Sequence, residues 1–137
     1  MLKVNNLTIA PLFREVNFYV PRGEIVTLMG PSGSGKSTLF SWMVGALSDD
    51  FQAQGELWLD DRRCDGLPVE QRGIGILFQD ALLFDQYSVG QNLLLALPAR
   101  ITGRARRERV QQALDSAGLN HHYASDPATL SGGERAR

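Results

Sequence analysis

Nine consecutive residues, Gly30–Thr38, read GPSGSGKST and hold the chain's clearest chemistry. They fit G-x-x-x-x-G-K-[ST], with Gly30, Gly35, Lys36 and Ser37 at the fixed places. A glycine-rich turn lets backbone N–H groups converge on an anion, because no Cβ blocks the approach or forbids positive φ. A helix opening there adds the partial positive charge of its N-terminus. Lys36 is then a mobile point charge for β- and γ-phosphates, and the Ser37 hydroxyl is a ligand for Mg²⁺. Pro31, Ser32, Gly33, Ser34 and Thr38 complete the cradle. The ligand class is a nucleotide.

Such a loop needs a strand before it and a helix after it. Glu24–Met29 (EIVTLM) is a short apolar run of strand type, and Leu39–Leu47 (LFSWMVGAL) an apolar helical stretch. Further strands are expected at Leu2–Ile9 and Val16–Val20, with Pro21-Arg22-Gly23 as the turn that follows. After a polar break at Ser48–Gln54, Glu56–Asp60 alternates as a half-exposed strand. Pro68–Arg72 reads as a short connection. Ile74–Phe78 (IGILF) has the unbroken apolar character of a strand buried on both faces, and Gln79 closes it. Ser88–Leu97 and Arg104–Ala117 are helical, punctuated by Pro98, Gly103 and Gly118. The chain therefore runs from a β-rich and α/β part into a helical one.

Composition narrows the class. The 137 residues carry 14 Lys and Arg against 15 Asp and Glu, a net charge of −1 that gives no global attraction to nucleic acid or anionic lipid. The basic run Arg104–Arg109 reads as a solvated helix face. Cys64 is the single cysteine, so no internal disulfide can form; its polar surroundings predict a surface thiol. His121 and His122 lack metal-ligand spacing and are expected to face solvent. No apolar run reaches eighteen residues.

A phosphate loop alone does not choose among kinases, GTPases and transport ATPases. Leu130–Glu134 (LSGGE), arriving after Gln79 and a helical segment, makes the choice. The combination resembles the ATP-binding subunit of ABC transporters, whose signature is LSGGQ and whose second landmark is a glutamine ending a buried strand. Phe78–Phe84 (FQDALLF) and Ser88-Val89-Gly90-Gln91-Asn92 look especially like importer ATPases. The resemblance implies an α/β P-loop NTPase fold: an N-terminal antiparallel β part, an incomplete parallel core sheet and a helical subdomain, divided at 1–80 and 81–137. It implies ATP and Mg²⁺ as cofactors, with Gln79 beside the metal or the attacking water. It also implies that Leu130, Ser131, Gly132, Gly133 and Glu134 contact ATP held by a facing subunit in a head-to-tail dimer. The implied partners are that second ATP-binding subunit, an integral-membrane permease and a substrate-binding protein, with no nucleic acid. The implied location is the cytoplasmic face of the membrane, reached through the permease, with Phe84 and Tyr87 as docking anchors.

The chain departs from the family pattern in three ways. Phe13, in the short connection Ala10–Arg14, is the one aromatic available to stack on adenine. Glu134 replaces the signature glutamine and adds negative charge near a phosphate site. Residues 1–137 also contain no apolar strand ending in Asp, no neighbouring catalytic Glu and no switch His. The expectation is the N-terminal part of an ABC ATPase, slow at hydrolysis by itself, with an apolar edge at Ile25–Met29. Three other readings compete: a soluble ABC-type ATPase of DNA repair or chromosome maintenance, a small-molecule kinase, and a non-catalytic nucleotide-binding remnant. The first normally carries a long insertion before the signature. The second would leave LSGGE without purpose.

Overall fold

The computed structural model describes residues Met1–Arg137. They form two units, Met1–Leu77 and Phe78–Arg137.

The first unit is built on a four-stranded antiparallel sheet in the order β2-β1-β3-β4: β1 Leu2–Ala10, β2 Phe13–Val20, β3 Gln52–Leu59 and β4 Arg62–Arg63. The two-residue link Pro11-Leu12 lets β2 start at Phe13, earlier than the alternation at Val16–Val20 suggests. β3 likewise reaches back into the polar break, because Gln52, Ala53 and Gln54 pair with Ala10, Ile9 and Thr8. Val4, Leu7, Ile9 and Leu57 are fully buried on the inner face, against Leu39, Trp42 and Met43 of helix α1, Lys36–Val44. α1 closes at Gly45 in a left-handed conformation, where the amides of Gly45 and Ala46 both return to the Ser41 carbonyl. A single helical turn, α2, occupies Val69–Arg72 within the expected connection.

Two expectations fail in this unit. Glu24–Met29 and Ile74–Phe78 join no sheet, so the structure contains no parallel pairing. A strand exists only beside a hydrogen-bonding partner, and no segment of residues 1–137 pairs with either run. The run before the loop is correspondingly bare: Ile25 is 94% and Met29 86% exposed. Cys64 is the second correction. It is fully buried, its thiol turned to the Arg62 carbonyl at 3.4 Å, because the hairpin β3–β4 folds it inward onto the core.

The second unit is helical: α3 Val89–Ala96, α4 Gly103–Ser116, a 3₁₀ turn Pro127–Thr129 and α5 Gly132–Ala136. Val89, Val110, Leu114, Leu119 and Leu130 form its core. Ser88 caps α3 through a capping box with Gln91. The basic run is a solvated face only in part. Arg104 pairs with Glu108, whereas Arg106 turns inward and donates to the carbonyls of Leu94, Leu97, Pro98 and Ile101. It thereby closes the C-terminal end of α3.

Candidate nucleotide site

The loop in the first unit leaves backbone donors without partners. α1 begins at Lys36 with Gly35 as its N-cap residue, no side chain caps it, and no acidic residue stands in its first turn. Its first internal bond runs from the Leu39 amide to the Gly35 carbonyl at 2.9 Å. The amides of Lys36, Ser37 and Thr38 therefore find no acceptor in the chain, as the opening turn of any helix must unless something outside supplies one. A capping side chain there is typically worth about 1 kcal/mol, so leaving the end open costs stability. Orphaned amides, a positive dipole end and an adjacent lysine suit an anionic group.

Packing explains the glycines. Gly35 sits at φ +90, and a Cβ on it would meet the Phe13 ring at 2.9 Å and Leu12 at 3.0 Å. A Cβ on Gly30 would meet the Ser34 hydroxyl at 2.9 Å. Gly33, at φ +79, faces open space. The Lys36 ammonium folds over this loop, 2.7 Å from the carbonyls of Gly30 and Pro31 and 3.3 Å from the Ser34 hydroxyl. Phe13, Leu28, Met29, Gly35 and Lys36 line a cleft of about 270 Å³ beside it. Phe13 is thus brought against the loop. Pro31, Ser32 and Ser37 are exposed, and Thr38 is half-buried.

The second unit carries the other sequence-derived residues. Gln79 is exposed, outside any helix or strand, and its side chain makes no hydrogen bond. Leu130 is buried in the helical core, while Gly132 and Gly133 are exposed, with open space where a side chain would stand. Ser131 caps α5: its hydroxyl accepts from the Glu134 amide at 3.3 Å, and Glu134 accepts from the Ser131 amide at 2.7 Å. That backbone bond, then the hydroxyl, holds the Glu134 carboxyl below the usual carboxylate range; His122 lies 3.9 Å from it. Glu134 thus spends its charge on its own helix start. Nearby, the Asn92 amide ties the preceding loop together, accepting from the Phe84 amide and donating to the carbonyls of Phe84, Tyr87 and Ser88. It presents Phe84 and Tyr87 as an exposed T-shaped pair 6.2 Å apart.

One residue escaped sequence reasoning altogether. Arg72 is buried behind α1 and bonds the carbonyls of Trp42 and Met43. An isolated arginine ahead of a glycine carries no motif by which to find it.

The sequence pattern of the ABC transporter family matches residues 13–137. The chain belongs to that family. Among its ABC relatives is the uncharacterized ABC transporter ATP-binding protein YnjD of Escherichia coli (strain K12). It is 62% identical over 141 residues, covering 100% of this chain and 65% of that protein. The thiamine import ATP-binding protein ThiQ of Haemophilus influenzae (strain 86-028NP) is 38% identical over 122 residues, 88% of this chain and 55% of that protein. The dimeric, post-hydrolysis structure of the ATP-binding cassette MJ0796, bound to ADP and Pi, matches with a TM-score of 0.78 and 26% identity. It covers 98% of this chain and 65% of that one. The fold is that of an ABC ATPase, and the chain spans less than two thirds of the length of these relatives.

Proposed function

We propose that this chain is an ATP-binding subunit that powers import through a separate integral-membrane permease. The observation that carries the reading is the open start of α1: three amides without acceptors, in a glycine loop, under a lysine. In this reading the Lys36 ammonium leaves the Gly30 and Pro31 carbonyls for the β- and γ-phosphates. The amides of Lys36, Ser37 and Thr38 surround the anion, and Phe13 stacks on the adenine. Ser37 and Gln79 would hold Mg²⁺, which supplies charge neutralisation at the phosphates when bound.

Leu130–Glu134 completes the nucleotide site of a second subunit in a head-to-tail dimer. The dimeric state of MJ0796 and the import names of relatives such as ThiQ support this part of the reading. Phe84 and Tyr87, held by Asn92, would receive a short helix of the permease on the cytoplasmic face of the membrane. No helix of the chain is long and apolar enough to cross a membrane. A substrate-binding protein would deliver the cargo outside.

The test is calorimetric titration of MgATP into the chain and into Lys36→Ala. Loss of the charge-assisted contacts should weaken binding by roughly a hundredfold. Unchanged affinity would mean that the loop is not the site.

A further inference from the structure

Arg72 is the one charged residue that the structure buries, with 7% of its surface exposed. No carboxylate lies within ion-pair distance of it. Its guanidinium is spent on backbone carbonyls instead. Nη1 donates to Trp42 at 2.8 Å and Met43 at 3.2 Å, Nε to Leu67 at 2.8 Å, and Nη2 to Asp65 at 2.8 Å. Trp42 and Met43 belong to the last turn of α1, so a cation sits at the negative end of the helix whose positive end forms the loop mouth.

The surroundings are shaped for that side chain. A Cβ on Gly45 would lie 2.7 Å from Arg72 Nε and 2.9 Å from Cζ. Burying an ion costs several kcal/mol, and an apolar residue of similar volume often serves stability as well or better. Stability alone therefore gives a weak reason for an arginine here. α1 has only nine residues, too short to persist without tertiary support. Its buried residues are Leu39, Trp42, Met43 and Val44, whereas Lys36, Ser37 and Thr38 bury nothing fully. Three of the four buried residues thus lie in the last turn, the end at which α1 is held most extensively.

We propose that Arg72 is a positioning residue for the nucleotide: it clamps the last turn of α1 and so presets the loop amides at the first. The clamp rests on the phosphate-loop reading above, and the experiment separates the two. Hydrogen exchange is first measured on the unaltered 137-residue chain with and without MgATP. A clamp coupled to the loop makes MgATP slow exchange at Gly45 and Ala46, about fivefold or more, as well as at the loop. Protection that stops at the first turn overturns the proposal.

Arg72→Ala, folded by circular dichroism, should bind MgATP about tenfold more weakly. Guanidinium ion at sub-denaturing concentration should restore affinity by refilling the vacated space. Merely structural damage would instead worsen, since guanidinium weakens apolar burial. Affinity equal to that of the parent, or no rescue, refutes the clamp. Should Arg72→Ala fail to fold, the exchange result on the unaltered chain decides. If that chain binds no MgATP, the phosphate-loop reading has failed and takes the clamp with it. If it binds and only the Arg72 result is negative, the loop stands and the clamp falls.

Discussion

Two helices of this molecule begin at glycine- and serine-bearing motifs, and they begin differently. α1 starts from Gly35 with nothing covering its first amides. α5 starts from Ser131, whose hydroxyl and amide lock with Glu134 in a closed capping box. Both ends carry the same dipole and the same orphan donors in principle. The first leaves the amides of Lys36, Ser37 and Thr38 open, the second only those of Gly132 and Gly133. The difference teaches that a string of glycine and serine does not by itself fix how many donors stay free; the side chain at the N-cap decides whether the third is already used. At α1 the N-cap is Gly35, which has no side chain to offer. At α5 it is Ser131, whose hydroxyl takes the Glu134 amide while the Glu134 carboxylate takes the Ser131 amide.

The contrast can be broken most severely at Gly35. Gly35→Ala forces a Cβ into Phe13 and Leu12 at a positive φ, a strain on the order of 1–3 kcal/mol. We expect a lowered melting temperature together with a loss of MgATP binding; a variant that binds like its parent would show that the mouth tolerates closure. Ser131→Ala opens the other end by removing its cap, at about 1 kcal/mol. Its signature is faster exchange of the Glu134 amide with the melting of α1 untouched. The smallest effect is at Glu134. Its folded-state pKa is depressed, so its contribution is complete above the unfolded carboxylate value and disappears as pH falls through the lower folded value. Titrating the Ser131 amide by NMR should show α5 fraying across that acidic window. Glu134→Gln keeps an acceptor for that amide and should abolish the pH response; a response that survives would assign it to another group.

Local patterns were the legible part of the fold. The alternation at Leu2–Ile9, the apolar stretch behind the loop and the helices around Val89 and Val110 all announce themselves within one element. What stayed hidden depends on partners far along the chain. Glu24–Met29 and Ile74–Phe78 have strand composition, yet composition supplies no neighbour, and neither run pairs. Cys64 sits among polar residues in sequence but under a hairpin in space.

The site shows the same division. Gly30–Thr38 is legible as a unit because its chemistry is contiguous, whereas Phe13 is pointed to only by the family resemblance. The closure of α5 is legible as Ser131-x-x-Glu134, a capping-box spacing. Arg72 and Arg106 act on carbonyls contributed by other turns, and nothing in their immediate sequence marks either one.

The bare run ahead of the loop also governs how residues 1–137, prepared by themselves, behave in the test tube. Ile25, Val26 and Met29 offer water-averse surface on a backbone with free pairing groups, the combination by which separate molecules zip together. Preparations should turn cloudy as they are concentrated, sooner in warm, salty buffer, since both strengthen adhesion between greasy patches. A lysine substituted at Ile25, whose side chain already stands in solvent, would act as a gatekeeper and keep the material clear without disturbing the grip of the loop.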